Sequence, residues 1–165
     1  MGVERRLEFT EYAAVRRPQL VRLAYALCGD WHTADDVVQT ALAKLYVAWP
    51  RVRSRGAEDS YVRQTIVRTV IDESRRPWRR ERAGLEGFDH PDRPGLDPGD
   101  RHDLVKALMT LPDMQRRTVV LRHWLGLSVA ETARDLRISE GTVKSHTSRA
   151  LERLHQLMTE EGSPR

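Results

Sequence analysis

Apolar residues recur along this chain at three- and four-residue intervals, and no stretch sustains the alternation of a half-buried strand. Leu20, Leu23, Ala24 and Leu27 form one helical stripe, closed by Gly29. Val38, Leu42, Leu45 and Trp49 form a second, which Pro50 is expected to stop, and Thr33 with Asp36 resembles a capping box at its start. Val62, Ile66, Thr69 and Val70 trace a third, running to about Arg76 before Pro77. Helical spacing resumes at Leu104, Leu108 and Leu111, where Leu111-Pro112 breaks one helix and opens the next. That next helix carries Val119, Val120 and Trp124 and ends near Gly126.

The last two elements are the most sharply drawn. Ser128 and Glu131 have the spacing of a capping box, and Val129, Ala133 and Leu136 make a short stripe behind it. Arg137-Ile138 makes the turn, and Ser139 caps a helix reaching about Leu157. Two helices so closely linked, the first about eight residues long, have the layout of a helix-turn-helix. In the second, Val143, Thr147, Ala150, Leu154 and Leu157 share one inward stripe. At about 100° per residue, Gly141, Ser145 and Ser148 lie opposite, flanked by Thr142, Arg149 and Lys144.

Between the two helical parts lies different material. Residues 81–103, ERAGLEGFDHPDRPGLDPGDRHD, hold seven acids, four glycines and three prolines, and too few apolar groups to offset the entropy of ordering. The expected fold is therefore all-α: helical domains at 1–80 and 104–160, joined by a flexible acidic linker at 81–103.

Charge sharpens this division. Residues 1–80 hold fifteen Lys or Arg against ten Asp or Glu, the linker three against seven, and residues 104–165 ten against seven. Two basic bodies around an acidic strip suit a polyanionic partner. The single cysteine, Cys28, excludes an internal disulfide and a cysteine-based zinc site, and fits a reducing compartment. The longest apolar run, Leu23–Cys28, is far short of a membrane span, and MGVERRLEFT lacks the core of a signal peptide. A cytoplasmic protein without membrane insertion is expected. Asp89-His90-Pro91-Asp92 reads as a solvated loop rather than a metal site, so no metal or other cofactor is expected.

The run ISEGTVKSHTSRA, from Ile138 to Ala150, holds side chains that suit either a catalytic site or a DNA-reading surface. A Ser–His couple needs mutual reach and a third orienting group. His146 lies about 60° from the inward stripe and Ser145 points elsewhere, because adjacent helical residues do not face each other. No catalytic residue is expected there. Small, hydroxylic and cationic residues at a helix start suit a major groove, where an arginine can chelate guanine or grip phosphate. Taken alone, the motif also fits a solvated surface helix. A second candidate is the stretch from Tyr61 to Arg82, where RRPWRRER follows Tyr61, Arg63, Gln64, Arg68 and Thr69. Arginines track phosphates, and an exposed aromatic stacks on an unpaired base.

LVKALMTLPDMQRRTVVLRHWLGLSVAETARDLRISEGTVKSHTSRALERL resembles the fourth domain of bacterial sigma factors, in the small extracytoplasmic-function subgroup that keeps only domains two and four. ADDVVQTALAKLYVAW resembles the polymerase-docking helix of domain two, and SYVRQTIVRTVIDESRRPWRRE the promoter-reading helix that follows it. The resemblance implies a non-enzymatic factor that binds core RNA polymerase and promoter DNA and acts as a monomer within the holoenzyme. Asp35, Asp36 and Gln39, with Leu42 beneath them, would meet the polymerase clamp. Tyr61, Gln64, Arg68, Thr69, Arg75, Arg76 and Trp78 would meet the minus-ten element. Thr142, Lys144, Ser145, His146, Ser148 and Arg149 would face the minus-thirty-five element.

The loop Pro50–Ala57 would sit where the family captures a flipped base, and the acidic linker would thread the RNA exit path. Many members also have an anti-sigma partner. Two positions depart from the family: Arg137 replaces the usual turn glycine, and Thr69 replaces a common asparagine. The competing reading of the helix-turn-helix is a stand-alone regulator, which would need a dimer and a palindromic site. An enzyme with a DNA-binding tail would need a ligand cluster that residues 1–80 lack.

Overall fold

The structure, a computed structural model, describes residues 2–75 and 100–162. The chain divides into two units, Met1–Gly87 and Phe88–Arg165, and every described element is helical. Arg76, Trp78 and residues 81–99 of the expected linker lie outside the described residues.

Among its described residues the first unit holds three helices: α1 (Val3–Cys28), α2 (Trp31–Ser54) and α3 (Glu58–Ser74). Gly29 ends α1 in the left-handed region at φ 77°, and its amide donates to Tyr25 O. That leaves only Gly29 and Asp30 between α1 and α2, a link that forces them antiparallel. Tyr25 and Trp31 stack across the corner with ring centroids 3.8 Å apart. The expected stripes meet inside: Leu23, Ala24 and Leu27 of α1, Val38, Leu45 and Trp49 of α2, and Val62, Ile66 and Val70 of α3 are all buried. Thr69 is only partly buried, on the margin of its stripe.

Two local expectations for α2 are corrected. Its cap is Asp30, which accepts from the Thr33 amide at 2.9 Å and from the Thr33 hydroxyl, so Thr33 lies inside the first turn rather than at its head. Pro50 does not stop the helix. A proline removes one backbone donor and crowds the preceding turn, but the residues beyond it are anchored. Val52 is buried, and Arg53 pairs with Glu58 at 2.8 Å and lies 5.9 Å from the Trp49 ring centroid. Of the expected loop Pro50–Ala57, residues 50–54 are therefore helical, and only Arg55, Gly56 and Ala57 turn the chain.

The second unit holds α4 (Asp100–Met109), α5 (Asp113–Val119), α6 (Val129–Leu136) and α7 (Glu140–Glu161). α4 begins inside the segment read as linker, and α7 continues one turn past Leu157. Val120–Trp124 continues α5 as a single π-helical turn, which keeps Val120 and Leu121 buried while Trp124 stays 47% exposed. An extra residue in the turn shifts the register, so Trp124 leaves the stripe its spacing placed it on. Arg122 closes the turn by donating to Leu127 O.

Sequence periodicity does not reveal the buried charges of this unit. Arg116 and Arg117 are each 5% exposed, with Asp113 at 3.1 and 3.9 Å respectively. Asp135 is also buried. Charges this enclosed persist only when paired, and they fix the placement of the elements that carry them. Val143, Ala150 and Leu154 of α7 are buried as expected, while Thr147 and Leu157 are partly so.

Arg137 sits at φ 58°, ψ 45°, the only described non-glycine residue with positive φ. Its amide reaches Ala133 O and Arg134 O, and the Ile138 amide reaches Ala133 O at 3.1 Å, which closes α6. A left-handed non-glycine residue costs roughly 1–2 kcal/mol, and glycine gives back part of that through its freer unfolded state. Arg137→Gly should therefore raise the stability of this unit by up to about 1 kcal/mol, and Arg137→Val should lower it. Urea unfolding checks both. A glycine variant less stable than the parent would show that the Arg137 side chain contributes more than the backbone costs.

Candidate nucleic-acid interface

The helix-turn-helix is fastened at both helix starts. Ser128 Oγ accepts from the Glu131 amide at 3.0 Å, the first half of the expected capping box, while the Glu131 carboxylate accepts from the Ser128 hydroxyl at 3.2 Å rather than from its backbone amide. Ser139 Oγ accepts from the Thr142 amide at 3.1 Å, and the two hydroxyls lie 2.8 Å apart. These bonds satisfy orphan amides at the start of α7 and leave its positive end aimed outward.

The outward face of α7 carries Gly141, Lys144, Ser145, Ser148 and Arg149, all exposed. A Cβ at Gly141 would meet only Ser139 Oγ, at 3.9 Å, so another surface could approach closely there. Neither Lys144 nor Arg149 has an ion-pair partner among the described residues, so both charges are uncommitted. Thr142 and His146 are half-buried. The Thr142 hydroxyl is engaged with Ser139, and His146 Nδ1 is enclosed without a hydrogen-bond partner. Ser145 bonds back to Thr142 O at 3.2 Å, an exposed contact that a ligand could replace. Lys144, Ser148 and Arg149 thus form the open part of the set, and Thr142 and His146 its margin.

On α3 the candidates divide in a similar way. Val62, Ile66, Val67 and Val70 face the core. At about 100° per residue, Tyr61, Gln64, Arg68 and Arg75 fall on the opposite side, together with Asp72. Arg68 and Arg75 are exposed, whereas Tyr61 and Gln64 are half-buried. Thr69 lies at the edge, with its hydroxyl donating to Thr65 O at 2.7 Å. Arg76 and Trp78 of the same candidate set lie outside the described residues.

The α2 candidates do not form one open patch either. Asp36 and Gln39 are exposed, and His32 lies 3.7 Å from Asp36. Asp35 is half-buried, 4.0 Å from Arg17 of α1. Leu42 is 8% exposed and supports the face from below. Asp36, Gln39, Thr40, Ala43, Lys44 and Val47 run along a shallow outer groove, and Val47 is 83% exposed. Val47 was missed as a surface residue. Its spacing from Asp36, Thr40 and Ala43 marks the same outer face.

Among the described residues no group of histidine, cysteine or carboxylate side chains could hold a metal ion, and no helix is long and apolar enough to cross a membrane. Two exposed cationic helix faces on separate units are suited to binding a polyanion, by phosphate contacts and by base-edge contacts in a groove.

Comparison with known proteins finds two family matches along the chain. The family model described as sigma-70, region 2 matches residues 14–80, and that described as sigma-70, region 4 matches residues 101–154. The RNA polymerase sigma-E factor of Streptomyces coelicolor is 38% identical over 156 residues, spanning 91% of this chain and 85% of the relative. The ECF RNA polymerase sigma factor SigM of Mycobacterium tuberculosis is 34% identical over 147 residues, spanning 85% of this chain and 71% of the relative. Among solved structures, the sigma factor RpoE of Bartonella quintana, in complex with the anti-sigma factor NepR, shares the fold with a TM-score of 0.74. It is 24% identical, and the match covers 92% of this chain and 97% of that one.

Lys144 is exposed on the outward face of α7, and a lysine's compact charge suits a phosphate contact. Lys144→Ala should weaken binding to DNA of any sequence and reduce the salt slope of the affinity by about 1. A salt titration of DNA affinity checks this, and an unchanged slope would remove Lys144 from the interface.

Proposed function

The chain belongs to the sigma-70 family of RNA polymerase sigma factors, in the extracytoplasmic-function group, and from that premise we propose that it binds core RNA polymerase and directs initiation at promoters with minus-ten and minus-thirty-five elements. Residues 1–80 would act as domain two, residues 81–103 as the connector and residues 104–160 as domain four. The observation that carries this reading is the open face of α7. Within a capped helix-turn-helix, it leaves Lys144, Ser148 and Arg149 exposed.

Roles follow from reach and chemistry. Arg149 is suited to a bidentate contact with guanine, Lys144 to phosphate, and Ser145 and Ser148 to either. Thr142 and His146 close the margin of that contact. On α3, Arg68 and Arg75 would hold backbone phosphates while Tyr61, Gln64 and Thr69 line the minus-ten contact. Arg76 and Trp78 belong to the same set, with Trp78 stacking on an unpaired base. Asp36 and Gln39 present the polymerase-docking face, Asp35 and Leu42 hold its shape, and the exposed Val47 extends it.

A short helix-turn-helix makes few base contacts and binds weakly alone. Two weak readers tethered on one polymerase act at high effective concentration, so joint affinity exceeds either one. The chain supplies specificity, and the polymerase supplies the chemistry of RNA synthesis. The solved RpoE is held by an anti-sigma factor, and a partner of that kind, sequestering the chain from polymerase, belongs to the same proposal.

Reconstitution tests it: purified chain, core polymerase and a promoter library should yield initiation that depends on the chain. Within that reaction Arg149→Ala should reduce discrimination at one minus-thirty-five base pair by about 1–3 kcal/mol. No chain-dependent initiation, with a palindromic footprint in the absence of polymerase, would support a stand-alone regulator instead.

A further inference from the structure

The start of α3 is held by α1 through an arrangement that lies partly outside the residues matched by the family model. Asp59, the second residue of α3, receives the Tyr12 hydroxyl on Oδ1 at 2.6 Å and Arg16 Nη2 on Oδ2 at 2.6 Å. One carboxylate is thus gripped at both oxygens by two side chains one turn apart on α1. Arg16 is itself steadied by Gln19, which accepts from Nη1 at 3.1 Å. Burial, and then the bond to Asp59, push the Tyr12 hydroxyl above its ordinary range, so it keeps its proton beyond the pH at which a free tyrosine loses it.

The ring of Tyr12 packs on Trp49, with centroids 5.4 Å apart. Phe9 packs edge-on against both Tyr46 and Trp49 at 5.0 and 5.4 Å. Phe9 and Tyr12 both precede the matched region, which begins at residue 14. From the other side, Glu58, the first residue of α3, is tied to Arg53 of α2 at 2.8 Å. The first two residues of α3 are therefore fixed from two helices, and the Arg55–Gly56–Ala57 turn is suspended between those attachments. Gly56 takes φ 61° with open space about it, and the amides of Arg55, Gly56 and Ala57 bond back to Val52 O and Arg53 O of α2.

We propose that Tyr12 and Arg16 are positioning residues for promoter reading: by gripping Asp59 they set the start of α3, and with it the Arg55–Gly56–Ala57 turn and Tyr61. This rests on the reading of α3 as the helix that meets the minus-ten element. Exposed pairs of this kind add little to stability, because water competes for both charges. Their effect lies in orientation. A carboxylate held at both oxygens cannot rotate away, so Tyr61, two residues on, keeps one presentation when strands separate. The clamp would also couple the start of α1 to the step at which DNA opens.

The test uses holoenzyme assembled from the full chain and core polymerase on a linear promoter duplex, with melted bases followed by permanganate. Tyr12→Phe keeps the ring on Trp49 and removes only the hydroxyl, and Arg16→Met keeps the stem and removes the charge. Each should leave the thermal midpoint and core affinity unchanged. Open-complex half-life should fall about three- to fivefold, and discrimination against single-base changes in the melted strand should narrow. Half-life and discrimination equal to the parent would overturn the clamp while leaving α3 as the reader. A loss of opening matched by an equal loss of thermal midpoint would also overturn it, because the contacts would then serve only the fold. A parent holoenzyme that melts no promoter would remove the reading of α3, and the clamp with it.

Discussion

A left-handed residue at Arg137 lets one helix end and another begin within three residues, and the C-terminal unit is arranged around that bend. Its amide and that of Ile138 satisfy the last carbonyls of α6, while Ser139 satisfies the first amides of α7. The amides of Arg137 and Ile138 and the hydroxyl of Ser139 thus cap the two helix ends that meet at the corner, which helps to hold the angle between them. That angle decides which side of α7 meets the core through Val143 and Ala150, and which side is left for Lys144, Ser148 and Arg149. The conformation is costly for arginine, and it persists because packing on both sides of the turn outweighs the strain.

The two units contrast in where charge is placed. In the C-terminal unit Arg116 and Arg117 are buried around Asp113, so they serve the fold and are withdrawn from any ligand. Counting them toward a basic surface would overstate it. In the N-terminal unit the pairs at Asp59 and Glu58 lie near the surface and govern the placement of one helix start more than stability. On α7, Lys144 and Arg149 have no ion-pair partner among the described residues, and their spacing turns them away from both arrangements.

Much of this was legible in the sequence because helical periodicity and serine caps are local signals. The stripe from Val143 to Leu154 and the caps at Ser128 and Ser139 follow from spacing and residue type alone, whereas Arg137 stood out only against the glycine usual in the family it resembles. Pro50 misled because a proline's cost is local, whereas the burial of Val52 beyond it is tertiary. Trp124 misled because a π-helical turn changes the register without any marker residue. The Tyr12–Arg16–Asp59 cluster spans more than forty residues of chain, and no periodic signal reaches that far. The sequence did place the candidate faces on α3 and α7. It could not show that Thr69, Thr142 and Ser145 spend their hydroxyls on their own helices.

The central claim is that two weak reading faces become one specific reader only when polymerase fixes their separation. Its most direct test is a series of promoters in which the spacing between the minus-ten and minus-thirty-five elements is changed base pair by base pair. Affinity would be measured for the chain alone and for the chain bound to core polymerase. The account predicts a sharp optimum of spacing for the holoenzyme, lost within a few base pairs on either side, and no dependence on spacing for the chain alone. A holoenzyme indifferent to spacing, or a free chain with the same sharp optimum, would contradict it.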